Sequence, residues 1–89
     1  MKIEFAKSLS GHDKNKIYLI WKKKERFAYL VDGKIHTTQK PKKKNEKHYQ
    51  IIKHIPEFIL EQLKEEESFA DNRIYRAVKE YERSISRRQ

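Results

Sequence analysis

Phe27-Ala28-Tyr29-Leu30-Val31-Asp32-Gly33-Lys34-Ile35-His36-Thr37-Thr38 reads as strand, turn and strand. Asp-Gly is the strongest hairpin signal in the chain, because a type I′ turn needs positive φ at both central residues. Residues 27–31 are therefore expected as a third strand, with residues 34–38 pairing back as a fourth. Upstream, Ile17-Tyr18-Leu19-Ile20-Trp21 is β-branched and aromatic, and residues 22–26 form a charged turn leading into the hairpin. Ile3 and Phe5 alternate with Lys2 and Glu4, as in a half-buried first strand. Ser10-Gly11-His12-Asp13-Lys14-Asn15 then gathers turn formers: Gly11 takes positive φ without cost, and Asn15 tolerates it. Downstream, Tyr49-Gln50-Ile51-Ile52-Lys53 supplies a fifth short strand. Short strands with tight turns at this spacing predict a small closed or nearly closed barrel, and closure would remove exposed sheet edges.

The chain changes character at Pro56, which suits the first turn of a helix, with Glu57 at the positive end of its dipole. Phe58, Ile59 and Leu63 recur at helical spacing, so residues 56–67 are expected as one helix. Ser68 or Asp71 can cap a second, on which Ile74, Ala77, Val78, Tyr81 and Ile85 share one face. The fold class is α+β with a mainly β core: a five-stranded barrel over residues 1–54 and a pair of helices over residues 55–89. An isolated helix of this length is marginal in water, so the apolar faces are expected to pack on each other or on the barrel.

The net charge is +9 over 89 residues, and it is unevenly placed. Residues 1–54 hold 15 Lys and Arg against 5 Asp and Glu, a net +10; residues 55–89 hold 7 against 8, a net −1. An anionic partner is therefore expected at the N-terminal segment. With no cysteine, disulfides, thiolate-bound zinc and thiol catalysis are excluded. Residues 1–9 carry Lys2, Glu4 and Lys7 and do not resemble a signal peptide, and residues 17–21 are too short to span a bilayer. The expectation is a soluble cytoplasmic monomer. The sequence carries no glycine-rich phosphate loop, nucleophile elbow or recognisable carboxylate pair, which argues for a binding module without a cofactor rather than an enzyme. His12, His36, His48 and His54 have no helical i, i+4 pairing, so no metal site is expected; Glu65-Glu66-Glu67 reads as a solvated acidic patch.

Lys40-Pro41-Lys42-Lys43-Lys44-Asn45-Glu46-Lys47-His48 puts five lysines and a histidine in nine residues between two expected strands. A basic loop held at both ends by a sheet is a positioned cluster of donors, and phosphate oxygens are its usual target. Lysine is a point charge on a flexible stem, so Lys40, Lys42, Lys43, Lys44 and Lys47 suit phosphates better than base edges. His48 can stack on a base or donate to a phosphate.

Residues 5–16, with Gly11 at their centre, followed by residues 17–20, resemble the KOW motif. Leu30-Val31-Asp32-Gly33-Lys34 with Pro41-Lys42-Lys43-Lys44 and Lys47-His48 is similar to a group of small bacterial KOW proteins, themselves similar to small archaeal and eukaryotic large-subunit ribosomal proteins. The resemblance implies an SH3-like five-stranded barrel, RNA binding, and association with ribosomes or transcription complexes. Asn15 departs from the pattern, standing where this group usually has a second glycine. The resemblance and the local charge together make His12, Lys14 and Lys16 expected RNA contacts, presented by the turn at Gly11.

Most of Tyr18, Trp21, Phe27 and Tyr29 are expected to fill the small barrel; Trp21, at a strand end, is the one expected to be free to stack on a base. The leading functional expectation is an RNA-binding accessory protein, docking two basic loops on structured ribosomal RNA in translation or ribosome assembly. The alternative is an adaptor that contacts ribosomal or transcription proteins through its near-neutral helical tail.

Overall fold

The computed structural model describes residues 3–65 and 69–86. Five strands, β1 (Phe5–Ser8), β2 (Ile17–Lys24), β3 (Phe27–Val31), β4 (Lys42–Asn45) and β5 (Tyr49–Ile52), form one antiparallel sheet in the order β4-β3-β2-β1-β5. A single 3-10 turn, Glu46–His48, joins β4 to β5, and two helices follow, α1 (Glu57–Gln62) and α2 (Asp71–Ser86). The protein is thus α+β. No ladder joins the edge strands β4 and β5, so the sheet is not closed into a barrel.

Both faces of the central strands are buried, which is why Ile17–Ile20 are continuously apolar rather than alternating. Phe5, Ile17, Leu19 and Val31 face the helices and pack with Ile59, Leu63, Ile74, Ala77, Val78 and Tyr81. The apolar face expected on the second helix is therefore buried on the sheet, with Ile85 packed at its margin. The Phe5 and Tyr81 rings meet edge-on with centroids 5.3 Å apart, and the Tyr81 hydroxyl donates to the His54 carbonyl at 2.9 Å. On the opposite face Ala6, Tyr18, Ile20, Ala28, Leu30 and Tyr49 form a second core. That cluster includes members of β3 and β5, strands separated by two others in the sheet.

The fourth strand is not where the hairpin signal places it. The backbone groups of residues 34–36 are used inside a loop: the Asp32 carboxylate accepts from Lys34 N at 3.0 Å and His36 N at 2.9 Å, while Asp32 N and Gly33 N both donate to the His36 carbonyl. Ile35 is left 70% exposed. The chain pairs with β3 only at Lys42–Asn45, so the stretch expected as a basic loop is itself largely strand. Gly33 does take positive φ, at +82°, but a Cβ there would collide with the Asp71 carbonyl oxygen and lie 2.6 Å from Tyr75 N. The glycine lets the first turn of α2 come down on the β3–β4 connection, where Asp71 also accepts from Thr38 N at 2.9 Å.

The first helix is shorter than expected, ending at Gln62, with Leu63 still buried beyond it. Ser68 as a cap, and Glu66 and Glu67 of the acidic patch, lie outside the described residues. Among the described residues no helix is long and apolar enough to cross a membrane.

Candidate nucleic-acid interface

The β1–β2 connection is a compact turn. Gly11 and Asn15 both adopt positive φ, +88° and +74°, as their residue types allow. Asn15 N donates to the Ser8 carbonyl and Lys16 N to the Asp13 carbonyl, which rolls the turn inward and brings the Asp13 side chain over the end of the second core. There the carboxylate accepts from the Tyr18 hydroxyl at 2.8 Å and from Ser8 Oγ at 2.9 Å.

The remaining donors come from β4. Its register sets Lys42 opposite Leu30 and Lys44 opposite Ala28, so both lysines share the face of the second core. Lys42 Nζ and Lys44 Nζ each reach Asp13 at 2.9 Å, and Lys44 Nζ also donates to the Ser10 carbonyl at 3.1 Å. Burial alone would raise the Asp13 pKa; the bonds from Lys42, Lys44, Tyr18 and Ser8 outweigh it and hold the carboxyl well below the usual carboxylate range. The same contact, with burial first among the causes, pushes the Tyr18 hydroxyl above its ordinary value. Asp32 repeats the pattern. It accepts Lys16 Nζ at 2.8 Å, and this bond with the Lys34 and His36 amides overcomes burial and lowers its carboxyl to about 2.

The two basic segments expected from the sequence therefore do meet. Asp13 bridges them, Lys44 reaches Ser10, and Leu9 N donates to the His48 carbonyl at 2.8 Å. Within them the side chains divide. Lys42, Lys44 and Lys16 are engaged by Asp13 and Asp32, and Lys16 also lies 5.3 Å from the Tyr18 ring centroid. His12, Lys14, Lys40, Lys47 and His48 are exposed on the same segments. Among the described residues Lys14, Lys40 and Lys47 have no acidic partner. Lys43 points to the other face of the sheet, where its Nζ stands 4.3 Å from the Phe27 ring centroid. No three His, Asp or Glu side chains among the described residues converge as metal ligands would.

Trp21 is not the free aromatic. It falls at a register shift between Ile20 and Lys22, and turns onto the helix-side core against Phe69. Phe27 and Tyr29, expected mostly as core, belong to neither buried cluster. Reading the sequence also missed Asp13 as the centre of the site. The available signal was an acid inside an otherwise basic turn, two residues from the motif glycine. Compared with known proteins, the chain matches no family model and no curated sequence.

Proposed function

We propose that this is an RNA-binding accessory protein that docks its two joined basic segments on structured RNA, ribosomal RNA being the target the KOW resemblance implies, and so acts in translation or ribosome assembly. The observation that carries the reading is the Asp13 bridge. It fixes the two segments side by side and leaves His12, Lys14, Lys40, Lys47 and His48 exposed on them. Lysines held by a folded frame release counterions from a phosphate backbone at lower entropic cost than lysines on a free tail. We also take the open five-stranded sheet to be an unclosed form of the SH3-like barrel of that resemblance; the strand order and the buried cluster shared by β3 and β5 support this.

The test separates displayed lysines from engaged ones. Lys14→Gln, Lys40→Gln and Lys47→Gln together are expected to weaken binding to structured RNA by a similar factor across sequences. The melting temperature should stay unchanged, and the salt slope should fall by about 0.9 for each phosphate no longer neutralised. Wild-type affinity and slope in the triple variant would refute the docking. Lys42→Gln with Lys44→Gln should act first on stability.

A further inference from the structure

Phe27 and Tyr29 lie on the helix-side face of the sheet. The row formed by Leu19 and Val31 is under the helices, but among the described residues the aromatics of the next two rows join no core cluster with them. Across the sheet they read Lys22–Tyr29–Lys43 and Lys24–Phe27–Asn45. Each aromatic is half-buried, each neighbouring lysine is exposed, and none of Lys22, Lys24 and Lys43 has an acidic partner among the described residues. Lys22 Nζ lies over the Tyr29 ring, 5.1 Å from its centroid, and Lys43 Nζ over the Phe27 ring, so each ring face is held by an ammonium group that a stacking base must displace onto its own phosphate.

We infer that this face of β2–β3–β4, exposed among the described residues, is a second nucleic-acid contact, a stacking platform for two unpaired nucleotides of single-stranded RNA. The inference rests on the RNA-binding reading but uses a different surface from the basic segments. The chemistry is that of single-strand recognition: flat rings take any base by its π-face, and flanking cations take the phosphates. Geometry favours a single strand over a duplex. Residues two apart on a strand are separated by about 6.8 Å, roughly twice the 3.4 Å rise of a stacked strand. Bases seated on both rings must therefore be pulled apart from one another, which a duplex does not permit. A surface this basic also selects a polyanion over a neutral or apolar partner.

The experiment uses the full chain and measures fluorescence anisotropy of a ten-nucleotide uridine-rich single strand, a hairpin duplex of matched charge, and polyglutamate. In wild type the single strand is expected to bind more tightly than polyglutamate. Phe27→Leu with Tyr29→Leu should weaken the single strand by about tenfold, with duplex affinity within twofold and the salt slope unchanged. Lys22→Gln, Lys24→Gln and Lys43→Gln together should lower the single-strand slope by about 2. Should the leucine variant fail to fold, ring-proton shifts of Phe27 and Tyr29 in the wild-type protein on adding the single strand replace it; moving rings support the platform and stationary rings overturn it. An unchanged single-strand affinity in a folded leucine variant also overturns it. Wild type that binds the duplex and not the single strand removes the platform and leaves the basic segments standing, whereas wild type that binds no RNA removes both. Polyglutamate that binds as tightly as RNA, with equal sensitivity to the leucine variant, makes the face an acidic-peptide site and overturns the assignment.

Discussion

Replacing Asp13 with asparagine keeps the shape of the side chain and removes its charge, and the cost can be worked from its surroundings. The Asp13 side chain is 11% exposed, Lys44 10% and Lys42 31%. Hydrogen bonds to a charged group contribute about 1.5–3 kcal/mol each, and the more exposed Lys42 contact belongs at or below the bottom of that range. An amide oxygen can still accept from some of the four donors, while its NH2 group must face an ammonium. Asp13→Asn is therefore expected to cost about 2–3 kcal/mol, which for a domain of this size lowers the melting temperature by about 10–20 °C. Thermal denaturation followed by circular dichroism measures it. The decisive comparison is the same substitution in a background carrying Lys42→Met and Lys44→Met. There the carboxylate is a largely buried anion without counter-charges, so Asp13→Asn should become neutral or stabilising. An equal cost in both backgrounds, or a loss below about 0.5 kcal/mol in wild type, would refute the claim that charge pairing holds this corner together.

Gly33→Ala should be among the most damaging single changes, costing about 3 kcal/mol or more, because the methyl group meets backbone atoms of α2 at a φ that alanine resists; urea denaturation within about 0.5 kcal/mol of wild type would contradict it. Truncation after His54 uncovers Phe5, Ile17, Leu19 and Val31. At about 1.5–3 kcal/mol per side chain this is comparable with a whole domain's stability, so the fragment should lack a dispersed amide spectrum. Stability should fall twice on acidification. His36, whose pKa burial lowers, favours the folded state above pH 6.5 and withdraws that contribution as pH drops below it. Asp32, also depressed, stabilises above an unfolded value of about 3.9 and loses its contribution as pH falls toward about 2, and the depressed Asp13 adds to the loss in acid. His36→Gln should abolish the upper step in melts taken across pH and leave the lower one.

The elements legible in the sequence were those whose signal is local. β2, β3 and β5 follow from short apolar runs, the turn at Gly11 and Asn15 from residue types that accept positive φ, and the face of α2 from its 3.6-residue period. What failed was decided across the fold. Asp32-Gly33 is a hairpin signal by type, yet Gly33 is required by the close approach of α2, some forty residues later in the chain. β4 was missed because Lys42-Lys43-Lys44 has no apolar alternation. Its inward positions are filled by lysines, which no period-2 hydrophobic template can find, and they are tolerable only because Asp13 comes from another loop to meet them. Trp21 was misplaced for a similar reason, since at a register shift it turns to the helix-side face and packs against Phe69.

A strand that carries lysines on both faces has two competing uses for its charge. On the inner face Lys42 and Lys44 sit at the mouth of an apolar core, where leaving their ammonium groups unpaired would be costly. One aspartate resolves this by accepting both and binding Tyr18 as well, so the edge strand can close over the core. On the outer face Lys43 has no such partner among the described residues and rests over the Phe27 ring, its charge still available to solvent or to a phosphate. The same alternation that makes β4 foldable thus divides its lysines into a pair engaged by the fold and one free for a ligand. It follows that Asp13→Asn should weaken the fold and RNA affinity together, because the two basic segments lose the bridge that holds them side by side even though two ammonium groups are released. A variant that loses stability but binds RNA more tightly at low salt would show that the charges Asp13 neutralises matter more to binding than the placement it enforces, and would refute the framed-segment reading.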